Sequence, residues 1–180
     1  LIRRQRQMCI RDRAYQAIDR LHEAGLIYDA HIMTGVAGKG RGMENAEALA
    51  QFLNRTNPAH VVNFSMFLHK EVPLYQDIRQ GTFVPADELE TIREEYHLIE
   101  RIAPEKAGAN ILYDGFHDFI HVRVRGHLPG DKEKMLAKLS SIIQEYEGKE
   151  PVYSFVQGEC PDLEYCDDGK AVWDMDRKTS

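Results

Sequence analysis

Two short apolar runs, Leu26–Thr34 and His60–Leu68, flank a helix-patterned stretch, and this order constrains the fold more than any other feature of the chain. The first run is interrupted by Asp29 and His31; the second is rich in Val and Phe. Between them Ala46, Leu49, Ala50 and Leu53 recur on one face of a helix, and Asn57-Pro58 stops it. A strand, a crossover helix and a second strand within roughly forty residues imply parallel pairing, because parallel neighbours need a crossover of a dozen or more residues. The class is therefore α/β.

Ala14, Ala17, Ile18 and Leu21 mark a preceding helix that ends at Gly25. Pro73 to Val84 reads as a connection, with turn residues at Pro73, Gly81 and Pro85. A helix follows from about Ala86 to Pro104, with Leu89, Ile92, Tyr96, Ile99 and Ile102 as its buried stripe. Ile111 to Arg125 has strand character in two pieces, broken near Gly115. In the second piece Ile120, Val122 and Val124 alternate with His121, Arg123 and Arg125, which gives one apolar and one cationic face. Gly126 to Gly130 is expected to turn. Asp131 is placed to cap a helix that buries Met135, Leu136, Leu139, Ile142, Ile143 and Tyr146. From Gly148 the pattern weakens into a polar tail, 148–180, and its acidic end from Gly158 is expected to be loosely ordered.

Five of the 23 basic residues fall within positions 1–13, and Met8-Cys9-Ile10-Arg11-Asp12-Arg13 resembles translated sequencing-adapter read-through. That segment is expected to be an artefact or a disordered arm. Without it, 18 basic and 28 acidic side chains remain, so the net charge moves from −6 to −10. An acidic surface repels phosphate backbones and argues against nucleic acid as a partner. No window approaches 18 consecutive apolar residues, which excludes a membrane-spanning helix, and no apolar stretch follows the N-terminal arginines as a secretory signal requires. Cys9, Cys160 and Cys166 are too few and too scattered for a disulfide framework. The expected compartment is the cytoplasm.

Gly35-Val36-Ala37-Gly38-Lys39-Gly40-Arg41-Gly42 is the sharpest local feature. Glycines let backbone approach a ligand closely, and α/β ligands bind at the C-terminal ends of strands, where this loop would lie. Two phosphate-loop patterns fail on spacing. A P-loop lysine is followed by Ser or Thr, whereas Lys39 is followed by Gly40 and position 33 is Met. A dinucleotide fingerprint would need Gly at position 43, which is also Met.

Taken in order, the segments "AYQAIDRLHEAGL", "YDAHIMTGVAGKGRG", "NAEALAQFLNRTNP", "HVVNFSMFL", "VPLYQDIRQGTF" and "GFHDFIHVRVRGHLPGDKEKML" resemble radical S-adenosylmethionine (SAM) proteins of the Elongator and coproporphyrinogen-oxidase type, over about residues 14 to 147. The resemblance implies the C-terminal part of a partial (β/α)6 TIM-like barrel at 14–104, with a strand–helix α+β extension at 105–147. It implies an enzyme that cleaves SAM reductively at a [4Fe–4S] cluster held by a CxxxCxxC loop. This chain has no CxxxCxxC, and Cys160 and Cys166 lie past the barrel, so cluster and radical chemistry belong to a longer parent and the fragment is expected to be inactive alone. Residues retained toward SAM would be Ile32, Met33 and Gly35 near the adenine, Gly38 at close approach, and Asn63 and Ser65 facing the barrel interior. No catalytic residue is assigned.

His117, His121 and His127, with Asp114, Asp118 and Asp131 nearby, have metal-ligand chemistry, but on a strand His117 and His121 would sit roughly 13 Å apart, so no metal site is assigned. A solvated strand face, or Arg123 and Arg125 meeting an acidic neighbour, is the expectation there. Cys160 and Cys166 are expected to be free thiols. Two other readings stay open: a non-catalytic α/β module that binds a small molecule or a protein, and an aldolase-type barrel using Lys70 beside Glu71. A barrel cut before Leu26 would expose a strand edge, and self-association through that edge is expected.

Overall fold

The computed structural model describes residues 2–105 and 107–154, together with the backbone at 164–165 and 171–172. The elements run α1 (Ile2–Glu23), β1 (Asp29–Thr34), α2 (Gly42–Thr56), β2 (His60–Ser65), α3 (Pro73–Arg79), α4 (Glu88–Arg101), β3 (Ile111–His117), β4 (Val122–Leu128) and α5 (Lys132–Tyr146). A short antiparallel pair, β5 (Glu164–Tyr165) and β6 (Ala171–Val172), stands apart. The main sheet has the order β1-β2-β3-β4: the first three strands are parallel and β4 returns antiparallel to β3. The fold is thus mixed α/β with a four-stranded, mostly parallel sheet. No helix among the described residues is long and apolar enough to cross a membrane.

Helix α2 forms as its periodicity requires. Ala46, Ala50 and Leu53 are buried at i, i+4 and i+7, and Asn57 ends the helix in the left-handed region (φ 43°), its N–H donating to the Leu53 carbonyl. Helix α4 starts on Asp87, whose carboxylate accepts the Glu90 N–H at 2.8 Å. Asp131 precedes α5, but its carboxylate accepts the His127 N–H (2.8 Å) and makes no bond to the helix it precedes. Helices α2, α4 and α5 pack side by side on one face of the sheet. Their core includes Leu53, Val61, Ile92, Leu98, Ile99, Ile111, Leu128 and Leu139, all at 0% exposure. Each such side chain contributes about 1.5–3 kcal/mol by leaving water. A smaller cluster, Leu68, Tyr75 and Ile78, anchors α3.

Three local expectations are corrected. The stretch Pro73–Val84 is more than a connection, since α3 occupies Pro73–Arg79 with Pro73 in its first turn. The strand does not break at Gly115: β3 runs through it to His117, and the reversal is made by a 3-10 turn at Asp118–Ile120 and by His121 in the left-handed region (φ 53°). Gly126 belongs to β4, opposite Tyr113, so the turn begins only after Leu128. The basic segment 2–13 is part of α1. The start of the tail, 148–154, is described and docks on the fold: Tyr153 and Ser154 are buried, and the Glu88 and Leu68 N–H groups donate to the Val152 and Ser154 carbonyls. The expectations beyond it, including those for Cys160 and Cys166, lie outside the described residues apart from the backbone of β5 and β6.

Candidate functional site

The parallel strands end together, and their alternation sends two different sets of side chains to the two faces there. Toward the helices point Thr34 of β1, Asn63 and Ser65 of β2, and Tyr113 and His117 of β3, all buried. Helix α4 meets them with three carboxylates, Glu88, Glu94 and Glu95, each at most 2% exposed. His117 lies between two of them: Nδ1 is 3.1 Å from Glu88 Oε2 and Nε2 is 2.9 Å from Glu95 Oε2. The Ser65 hydroxyl donates to Glu88 Oε1 (3.1 Å). Asn63 Nδ2 (3.1 Å) and the Tyr113 hydroxyl (2.9 Å) both donate to Glu95 Oε1. Burial alone would push the His117 imidazole down, but the adjacent Glu95 and Glu88 carboxylates overcome it and raise the pKa from 6.5 to about 10. Both ring nitrogens therefore carry protons and both donate. Burial, then the Glu95 charge, pushes the Tyr113 phenol well above its ordinary value, so it stays a donor.

Gly115 belongs to this network, because a Cβ there would overlap Glu95 Oε1. Glu94 turns the other way along α4. Its Oε2 accepts the Gly35 N–H (3.0 Å) and its Oε1 accepts Asn45 Nδ2 (2.5 Å). Burial raises the Glu94 carboxyl above its ordinary value, and these two hydrogen bonds oppose that rise. Glu90 accepts the Gly40 N–H at 3.0 Å. Two amides of the glycine loop are thus already held by carboxylates, which leaves them unavailable to an anionic ligand.

On the opposite face the register builds lines across the sheet. Met33, Phe64, Phe116 and Arg123 stand abreast, and the next line is His31, Val62, Asp114 and Arg125. Met33, Phe64 and Phe116 are each the penultimate residue of a parallel strand. The Phe64 and Phe116 rings are near-parallel (5.6 Å, 16°), His31 follows Phe64 at 6.4 Å, and the Arg123 guanidinium lies 4.7 Å from the Phe116 centroid. Arg123 also grips Asp114 with Nε (2.8 Å) and Nη2 (2.7 Å), and Arg125 Nε lies 3.6 Å from the same carboxylate. The Arg123 fork holds the Asp114 carboxyl below its ordinary value, despite an opposing effect of burial.

The six residues read from the sequence as a SAM wall are therefore divided. Asn63 and Ser65 do not point toward the face a barrel would enclose. They face α4, because alternation along β2 puts 61, 63 and 65 under the helices. Ile32 packs against the same helix-side core. Gly35 takes φ 85° and donates to Glu94, and Gly38 donates to the Gly35 carbonyl at 3.0 Å. Only Met33 sits in the line on the opposite face. His117 is not on a solvated strand face, being 0% exposed, whereas Arg123 and Arg125 do meet an acidic neighbour, Asp114.

Sequence reasoning missed Glu88, Glu94 and Glu95, although the 88, 95 spacing places two of them on the same stripe as Ile92 and Ile99. Among the described residues no group of three or more His, Cys, Asp or Glu side chains is arranged to hold a metal ion. The chain matches no family model, no curated protein and no solved structure.

Proposed function

We propose that this chain is the C-terminal part of a radical SAM enzyme, forming three parallel strands and the first antiparallel strand beyond them in a partial (β/α)6 barrel. The observation that carries the reading is the line Met33, Phe64 and Phe116: three parallel strands end in register on the face opposite the helices. In a barrel that face is the lumen, and ligands bind at that end of the strands. The motif order from residue 14 to 147 supports the same reading.

The residues present do not fit the iron–sulfur cluster. CxxxCxxC is absent, and the described residues form no metal-binding group. They fit SAM only in part, through Met33 on the lumen-side face, since Gly35 and Gly40 have committed their amides to Glu94 and Glu90. No catalytic step is therefore assigned to this chain. What its own residues do is hold the wall: the Glu88–His117–Glu95 bridge ties α4 to the ends of β2 and β3, and Glu94 ties the same helix to the end of β1.

The test compares this chain with the polypeptide obtained by extending its reading frame upstream of Ala14. After anaerobic reconstitution with iron and sulfide, the extended polypeptide should gain a [4Fe–4S] absorbance and release 5′-deoxyadenosine from SAM under reductant, while this chain does neither. A start codon near residue 14, or an extension without CxxxCxxC, overturns the reading and leaves the non-catalytic α/β binding module in its place.

A further inference from the structure

The chain between β2 and α4 packs on a small core of its own. Leu68, Tyr75 and Ile78 are buried there with Met66, Leu74 and Phe83 against them, apart from the main core. Its turns are closed from within: the Val72 N–H donates to the His69 carbonyl, Tyr75 to Val72, Gly81 to Ile78, and Thr82 and Phe83 to Asp77. A segment shaped by its own contacts can open as a unit, because those contacts travel with it. The Met66 N–H donates to the Thr34 carbonyl and the Lys39 N–H to the Val84 carbonyl, both at 2.9 Å, which fixes the two ends about which it would turn. Both ends lie where the parallel strands finish, since the segment leaves β2 and enters α4.

The chain beyond α5 reaches the middle of this small core. After the exposed residues 149–151, Val152 packs against the main core, and Tyr153 (3%) and Ser154 (6%) are buried. The Glu88 N–H donates to the Val152 carbonyl at 2.8 Å and the Leu68 N–H to the Ser154 carbonyl at 2.6 Å. Leu68 is 3% exposed, so without Ser154 its N–H would be buried with no acceptor, a state too costly to persist. Leu68 would then move into water, and Tyr75 and Ile78 would lose the side chain they pack on. Helix α4 would not follow. Ser65 and His117 hold the Glu88 side chain, Asp87 caps the first turn, and Ile92, Leu98 and Ile99 sit in the main core. Release of 152–154 therefore frees the segment and leaves the helix in place.

We propose that residues 67–83 form a flap at the C-terminal ends of the parallel strands, and that residues 152–154 are the latch that keeps it shut. Parallel α/β folds take their ligands at that end of the sheet, so the latch governs access there. The device is independent of the barrel reading and of what binds.

The experiment follows amide hydrogen exchange by NMR in the full chain and in Tyr153→Ala, which removes the buried side chain of the latch and keeps its backbone. Leu68 reports the latch, Gln80, whose N–H donates to the Gln76 carbonyl, reports the flap, and Leu98 and Leu139 report the main core. In the unsubstituted chain Leu68 should exchange at least about tenfold faster than Leu98 and Leu139, as expected of a locally opening unit. Tyr153→Ala should accelerate Leu68 and Gln80 by about a further tenfold and leave Leu98 and Leu139 unchanged. If Tyr153→Ala does not fold, the milder Tyr153→Leu takes its place with the same ordering of effects. Equal acceleration at all four amides overturns the proposal, because the substitution then lowers only global stability. So does acceleration of Leu68 without Gln80, which would mean that the latch lets go and the flap stays, and so does a Leu68 amide in the unsubstituted chain that exchanges no faster than the core.

Discussion

His117 Nε2 stands 2.9 Å from Glu95 Oε2, and both side chains are at 0% exposure. Residues 22 apart in sequence are joined here across the interface between α4 and β3, with Glu88 completing the bridge on the other ring nitrogen. An ion pair taken so far out of water holds only if its remaining lone pairs are used, and Ser65, Asn63 and Tyr113 use them. The network therefore fixes how α4 seats on the sheet.

Replacing His117 by Leu would leave Glu88 and Glu95 buried and facing one another without a cation. Removing one partner of a buried pair costs about 3–5 kcal/mol, and urea unfolding should show a loss of that size. The triple variant His117→Leu/Glu88→Gln/Glu95→Gln should recover much of it. A loss below about 1 kcal/mol for the single variant would mean that the bridge carries little of the seating.

The difference between what the sequence discloses and what it hides follows from range. Ala46, Ala50 and Leu53 announce α2 because helical period is local, and Val122 and Val124 announce β4 for the same reason. The seven-residue α3 shows only Tyr75 and Ile78 as a buried pair, too short a pattern to separate from a turn. Glu88, Glu94 and Glu95 read as a solvated helix face because their partners, Ser65, Gly35, Asn63 and His117, lie 22 to 59 residues away. The orientation of Asn63 and Ser65 depended on which face of β2 the helices would cover, and strand alternation alone leaves that choice open.

Stability should decline with pH in a defined window. The folded His117 pKa, about 10, lies above its ordinary value of 6.5, so its protonated form stabilises the fold. That contribution is fully present below about pH 6.5 and is lost as pH rises toward 10. Urea midpoints measured from pH 6 to 10 should fall across this range, and the fall should be largely missing in the triple variant, which lacks the imidazole and both carboxylates. A wild-type profile that is flat from pH 6.5 to 10 would contradict the charged bridge.

Gly115→Ala should destabilise by about 1–3 kcal/mol through overpacking, since the new methyl group would meet Glu95 Oε1. The specific check is a double-mutant cycle with Glu95→Ala, whose shortened side chain vacates that space. A coupling energy near zero would place the cost of the alanine somewhere other than Glu95.

β1 has a neighbour on one side only, β2, so among the described residues its other edge offers unpaired backbone donors and acceptors. Just before it, Leu26 is 55% and Ile27 83% exposed, an apolar pair next to an open edge. Edges of this kind recruit further strands unless charge or proline blunts them, and β1 contains no Lys or Pro and carries one acidic charge, Asp29, at its first residue, which leaves Ala30–Thr34 unguarded. The isolated chain should therefore self-associate as its concentration rises, seen as a growing apparent mass in size-exclusion chromatography with light scattering. Ile27→Lys, which places a charge beside the edge without touching the core, should shift that transition to higher concentration. A chain that stays monomeric at every concentration tested, with the same profile for Ile27→Lys, would show that this edge is protected.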